Sequence, residues 1–257
     1  IDVKVPGMLI ATVQRCPVFG GKVTSFDAAK ATAVKGVRHV AQISSGVVVV
    51  ADSYWAAKKG REALRITWDE GPNWQQSSAA ITQLYAETAK QPGPAARKEA
   101  DAESTLAAAA KKIEAVYEVP FLAHATMEPM NCTAHVRKND CEIWVGTQNQ
   151  TATRATGARI TGFPLEAVKV NTMMLGGGFG RRGYQDFVAD AVETSKAVNA
   201  PVKVIWSRED DMQHGFYRPA TYNVLRAALD ERGTPTAWAH RIVGPSDRKS
   251  TRLNSSH

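Results

Sequence analysis

The sequence predicts an α+β fold, and three features of its 257 residues predict it. The opening residues and the region after Lys111 alternate apolar and polar residues between turn signals, as half-buried strands do. The stretch "YQDFVADAVETSKAVNA" puts Phe187, Val188, Ala191, Val192, Ser195 and Val198 on one helical stripe. With 44% hydrophobic and 22% charged residues, the chain can fill one large or two smaller cores.

In order, "PGMLIATVQRCPVFGGKVTSFD" reads as short strands with a tight turn at Gly20-Gly21. A buried strand over Val47 to Ala51, a helix capped by Asp52 or Ser53, and a strand through Leu64, Ile66 and Trp68 complete a small α/β unit over residues 1–71. Residues 72–111 are polar and Ala-rich, which predicts a linker with a helix from Ser78 to Lys90 and a breaker in "QPGPAARKEA". Strands follow in "KKIEAVYEVPF", "CTAHVRK" and "CEIWVGT", with a hairpin at Lys138-Asn139-Asp140, and "HATMEPMN" interrupts them. A helix from Thr151 to Thr161 precedes the strand "EAVKVNTMML", which enters the glycine loop "LGGGFGRRGYQDF". The strand "APVKVIWS" and a hairpin turning at Arg232-Gly233 follow the helical stripe. Trp55, Trp68, Trp144, Trp206 and Trp238 sit at inward phase and are expected in the core.

The net charge of +7 comes from scattered Lys and Arg, with no basic stripe to suit nucleic acid. No window reaches the roughly 18 apolar residues of a membrane helix. Ile1 is neither an initiator Met nor the start of a signal peptide, so the natural N-terminus is expected upstream. Cys16, Cys132 and Cys141 are too sparse for a metal or disulfide framework and are expected as buried thiols. "DRKSTRLNSSH", Asp247 to His257, resembles one reading frame of a sequencing adapter, so the natural sequence is expected to stop near Ser246.

The glycine loop sits between a strand and a helix, where backbone N–H groups and the helix dipole favour an anion. It is not a nucleotide motif of the named kinds, because GxGxxG begun at Gly176 meets Arg181 and no GK[ST] closes the loop. Other candidates are Glu128 and the group Glu209, Asp210, Asp211 as acid/base carboxylates, His124 or His214 as catalytic groups or ligands, and Arg218 near a substrate channel. Carboxylates at such strand ends more often cap a turn, and a lone His beside apolar residues is more often structural.

"HATMEP", "TQN" and "GGGFG", in that order and spacing, resemble the large subunit of the xanthine dehydrogenase and aldehyde oxidase family. "VPGMLIATV", "CPVFGGKV", "WDEGP" and "GGGFGRR" are similar to the isoquinoline 1-oxidoreductase β-subunit and related molybdenum-dependent aldehyde dehydrogenases. The resemblance implies a hammerhead-type domain at 1–71 and the first part of a mixed α/β molybdopterin-binding domain at 112–246. It implies a molybdenum hydroxylase acting on N-heterocycles or aldehydes with water-derived oxygen. Its cofactor is a molybdopterin dinucleotide, in the cytosine form, with the metal held through the pterin and not by side chains. It also implies a small [2Fe-2S] subunit as partner, a cytochrome as electron acceptor, and a location in the periplasm or at the membrane on its periplasmic side. Gln148 then donates a hydrogen bond to an oxygen on molybdenum, and the backbone of Phe179 and Gly180 lies against the metal centre. Gly176, Gly177 and Gly178 let the cofactor approach, and Arg181 or Arg182 pairs with pterin phosphate or shapes the substrate pocket. Purine-oxidising members continue the loop with "GKE", and Gly183 stands where that Glu would be. The family's general-base Glu would lie beyond Ser246, so this stretch alone is expected to be inactive. A scaffold module that kept the fold and lost the cofactor, and an unrelated nucleotide-binding protein, are the alternatives.

Overall fold

The computed structural model describes residues 1–245; the stretch Asp247 to His257, read above as adapter-derived, lies outside them. In chain order the elements are β1 (Leu9–Gln14), β2 (Lys22–Asp27), α1 (Ala29–Thr32), β3 (Val37–Ile43), β4 (Gly46–Ala51), α2 (Tyr54–Ala63) and β5 (Arg65–Asp69). Then come α3 (Ser78–Ala89), α4 (Ala102–Ala108), β6 (Lys111–Val119), β7 (Asn131–Val136), β8 (Cys141–Val145), α5 (Gln150–Thr161) and β9 (Val168–Thr172). The chain continues through α6 (Asp186–Val198), β10 (Val202–Ile205), α7 (Arg208–His214), β11 (Thr221–Leu229) and β12 (Pro235–Val243). It folds as two discontinuous units, one of residues 1–74 with 123–216, the other of 75–122 with the chain from Tyr217 onward.

The first unit is built on a seven-stranded mixed sheet in the order β3-β4-β1-β10-β7-β8-β9. Its joint is the parallel pairing of β1 with β10, Leu9 opposite Val202 and Ala11 opposite Val204. Strands on both sides of residues 72–111 therefore share one sheet, although the sequence reads them as separate domains. β4 is buried at every position, as its unbroken run Gly46-Val-Val-Val-Val-Ala51 requires. The expected stripe forms α6, which lays Phe187, Val188, Ala191 and Val192 into the main core with Met130, Ile143, Val202, Val204 and Trp206. β2 and β5 form a separate two-stranded ribbon.

The second unit is an antiparallel sheet in the order β12-β11-β6. α3 and α4 pack on it, with Arg241 donating to the Ala89 carbonyl at 2.7 Å and Arg226 paired with Glu103. Residues 72–111, expected as a linker with a helix from Ser78 to Lys90, thus carry that helix as α3 and a second one, α4, both docked on the sheet. Each buries one side chain, Ala89 and Leu106, which is why their sequence looks like solvated chain.

All three cysteines are buried free thiols, as expected. The tryptophans need correcting, since only Trp206 of the five is buried, while Trp55 is 65% exposed and Trp238 58% exposed. Trp55 lies in the first turn of α2 with the Lys58 ammonium 5.4 Å from its ring centre. Trp238 shares the outward sheet face with its cross-strand neighbours Ala227 and Ile113.

Beneath α6 a buried polar knot joins the two halves of the large sheet. Asp190 pairs with Arg15, and accepts from Ser45 Oγ at 2.6 Å and Trp206 Nε1 at 3.0 Å. Removing one partner of a buried ion pair strands the other, so Asp190→Ala is expected to lower unfolding free energy by about 3–5 kcal/mol. Urea denaturation of the full-length protein checks this as a fall in midpoint.

Candidate functional site

The site lies where the β8–α5 turn meets the loop between β9 and α6. That loop reverses direction through three residues of positive φ, Gly177 at 93°, Phe179 at 53° and Gly180 at 100°. A left-handed phenylalanine costs about 1–3 kcal/mol and persists only where its surroundings impose it. Phe179 is 65% exposed, so burial of its ring is not what holds it there.

The neighbours explain two of the glycines. A Cβ on Gly176 would sit 2.5 Å from Glu128 Cβ, and one on Gly178 would sit 2.5 Å from Gln148 Oε1. These two are therefore bare because the protein's own side chains press on them. A Cβ on Gly183 would meet nothing within 4 Å.

Gln148 is placed by its backbone and its side chain together. β8 ends at Val145, and Asn149 caps α5 by accepting from Ala152 N at 3.0 Å. Gln148 N donates to the Arg182 carbonyl at 3.1 Å, and buried Thr147 Oγ1 donates to the same oxygen at 3.2 Å. Gln148 Oε1 accepts from Gly180 N at 3.0 Å and Arg182 N at 3.3 Å. Two N–H donors fix which end of the amide faces the loop, so Nε2 is the end turned away. Among the described residues nothing accepts from Nε2, nor from the backbone N–H groups of Gly177, Gly178 and Phe179. Exposed Gln148 and this loop thus offer neutral N–H donors and no carboxylate, which suits an oxygen-rich anion.

The arginines do something other than the sequence suggested. Arg181 is 1% exposed and forks onto Asp186, with Nη1–Oδ1 at 2.9 Å and Nη2–Oδ2 at 2.7 Å. Arg182 is fully buried; its Nε donates to Gly177 O at 2.7 Å, Nη1 to Gly146 O at 3.3 Å, and Nη2 to both Glu128 O and Oε2 at 2.8 Å. Neither guanidinium is presented to a phosphate or a substrate. Both charges are spent inside the fold.

Glu128 is the partner that makes this burial tolerable. Its Oε2 also accepts from Gly176 N at 2.9 Å, and its Oε1 from Asn131 Nδ2 at 3.0 Å. Burial works against its charge, but the hydrogen bonds from Gly176 and Asn131 and the charge on Arg182 hold its pKa below the usual carboxylate range. It caps a loop and is not poised to take a proton at neutral pH.

The remaining candidates fall into structural roles. Asp210 closes a capping box with Ser207 at the start of α7 and pairs with Arg61 at 2.7 Å. Asp211 is buried and paired with Arg208, whose Nη2 also holds the carbonyls of Thr126 and Met127. That tie was not foreseeable, since 82 residues separate Arg208 from Thr126. Glu209 is exposed, and His214 is half-buried with burial lowering its pKa. His124 is half-buried, its Nε2 3.8 Å from where a Cβ on Gly180 would be. Arg218 belongs to the other unit, where its backbone pairs with Leu122. Among the described residues no group of three or more His, Cys, Asp or Glu could hold a metal ion, and no helix is long and apolar enough to cross a membrane.

Residues 87–246 match the molybdopterin cofactor-binding domain family. The chain is 31% identical over 96% of its length to the β subunit of isoquinoline 1-oxidoreductase from Brevundimonas diminuta, covering 33% of that protein. It is 33% identical over 95% of its length to the membrane-bound aldehyde dehydrogenase (pyrroloquinoline-quinone) of Gluconacetobacter polyoxogenes, again covering 33%. Aldehyde oxidoreductase from Desulfovibrio gigas shares its fold with a TM-score of 0.75 at 18% identity, over 94% of this chain and 31% of that one. The chain thus spans about a third of the curated relatives it matches.

The depressed pKa of Glu128 sets a pH dependence. A carboxylate whose folded pKa lies below its unfolded value contributes stability above the unfolded value, here about 4.5, and loses it as pH falls through the lower folded value. The stability gap between wild type and Glu128→Gln is therefore expected to be full above about pH 5 and to narrow as pH falls below the ordinary carboxylate range. Urea titrations of both proteins across that range check it.

Proposed function

Because this chain belongs to the molybdopterin cofactor-binding domain family of molybdopterin-dependent oxidoreductases, we propose that its full-length protein is a molybdenum hydroxylase large subunit acting on N-heterocycles or aldehydes. The observation that carries the reading is the placement of Gln148, with its oxygen clamped by the N–H groups of Gly180 and Arg182 and its Nε2 turned outward. The donor set fits the group. A molybdopterin dinucleotide is anionic and oxygen-rich, and the site offers Gln148 Nε2 and the amides of Gly177, Gly178 and Phe179 as donors without an opposing carboxylate.

When bound, the cofactor supplies the two-electron oxidation, with the oxygen coming from water. Gln148 would donate from Nε2 to an oxygen of the bound group, and its clamped Oε1 would keep the donor aimed without reorganisation. The Phe179-Gly180 backbone would lie against the same group, and the Phe179 ring, 65% exposed, would be free to cover it from water. Open space at Gly183 supports substrates other than purines, since the purine-contacting Glu of the resemblance has no counterpart there. We propose the cytosine dinucleotide form of the cofactor, a separate [2Fe-2S] subunit as electron acceptor and a cytochrome beyond it. That a relative is itself a β subunit supports a multisubunit enzyme. A periplasmic location belongs to the same reading.

Metal and cofactor analysis of the purified full-length complex tests this. Stoichiometric molybdenum and pterin are expected; activity carried by pyrroloquinoline quinone, or by neither group, would reject it. Gln148→Ala is expected to lower kcat by about 10- to 1,000-fold, as loss of one preorganised donor does, with KM little changed. Steady-state kinetics per bound molybdenum check this, and a raised KM at unchanged kcat would remove Gln148 from that role.

A further inference from the structure

We infer that Arg182, with Glu128 as its counterion, is the positioning residue that aims Gln148, acting through its own peptide group without touching cofactor or substrate. The inference rests on the role proposed above for Gln148. Arg182 faces two ways. Its guanidinium grips Gly146 on the chain leading to Gln148, Gly177 in the glycine loop, and Glu128 in the segment between β6 and β7. Its peptide groups hold Gln148 itself, the N–H donating to Oε1 at 3.3 Å and the carbonyl accepting from Gln148 N at 3.1 Å. The side chain is wholly buried, so any effect on the reacting atoms must pass through the backbone it holds, that of the glycine loop at Gly177 and the peptide groups that clamp Gln148. A lysine could hold one of those oxygens but not the spread of three segments that the planar fork reaches.

Arg181 supplies the internal comparison. It is the adjacent residue, equally buried and paired with Asp186, yet its guanidinium holds no carbonyl of the glycine loop or of the chain leading to Gln148. Loosening the Arg181–Asp186 pair disturbs the loop without releasing Gln148. Loosening the Arg182–Glu128 pair releases it.

The test compares Glu128→Gln, Arg182→Lys, Asp186→Asn, Gln148→Ala and the double variant Glu128→Gln/Gln148→Ala in the full-length holoenzyme complex. Molybdenum content, kcat and KM per molybdenum, the Mo(V) electron paramagnetic resonance spectrum, and amide hydrogen exchange of the cofactor-free protein are measured. Glu128→Gln is expected to slow kcat about 10- to 100-fold with KM nearly unchanged, the scale of a small misplacement of a catalytic group. It should shift the Mo(V) spectrum as Gln148→Ala does, and speed exchange in the peptides covering 146–150 and 176–184 ahead of the rest of the unit. The double variant should be no slower than Gln148→Ala alone, because both changes remove one interaction. Asp186→Asn should leave kcat unchanged. If Glu128→Gln fails to accumulate, Arg182→Lys carries the same expectations. Normal kcat in Glu128→Gln, multiplying effects in the double variant, an equal loss in Asp186→Asn, or unchanged exchange at 176–184 would each overturn the inference. Normal kcat in Gln148→Ala would instead overturn the reading on which it rests.

Discussion

Burying a guanidinium is the constraint from which the rest of the site follows. A charge taken out of water costs several kcal/mol unless its donors are met, and removing one partner from such an arrangement leaves the cost unpaired. Arg182 meets that demand with carbonyls of Gly146, Gly177 and Glu128 and a single carboxylate oxygen. Carbonyls cannot move without moving their chain. Satisfying one side chain therefore fixes three backbone segments against one another, and Gln148 sits among them. The left-handed Phe179, unfavourable alone, is held between two residues that the network has already fixed.

The same arrangement separates charge from presentation. Two positive charges lie under the loop, each matched by a carboxylate, Arg181 by Asp186 and Arg182 by Glu128. What the surface offers is neutral N–H donors. An amide aimed at a ligand oxygen has little freedom to swing away when its own oxygen is already bound twice. A lysine or arginine reaching the ligand directly would have brought more charge but less fixed direction. Tyr184 and Phe216 stack with ring centres 4.1 Å apart, and the Phe216 ring centre lies 5.7 Å from the Arg181 guanidinium carbon.

How much of this the sequence shows depends on how local the cause is. The α6 stripe, the β11–β12 hairpin and the fully apolar β4 are written in short-range periodicity, and the structure keeps them. Pairing partners are not written there. β1 and β10 come from opposite ends of the first unit, and no pattern in either announces that they lie side by side. α7 carried a readable capping box in Ser207 and Asp210, but at seven residues it is too short for periodicity to single out. The helices of residues 78–108 look like linker because each buries a single side chain. Adjacent Arg181 and Arg182 look like a ligand-facing pair, because the carboxylates and carbonyls that consume them are up to 54 residues away.

The glycine loop shows why resemblance to phosphate-binding loops misleads about its parts. In a nucleotide loop the missing Cβ atoms make room for the ligand. Here Gly176 and Gly178 make room for Glu128 and Gln148, the side chain that anchors the loop and the one the loop aims. The unclaimed N–H groups belong to the stretch Gly177 to Phe179. Alanine at 176 or 178 would push on a neighbour before it met any ligand, whereas at Gly177, with φ at 93°, it would first strain the backbone. One motif of three identical residues thus does two jobs. The outer glycines let the protein hold its own site closed from behind, and the middle one sets the turn that leaves donors open in front.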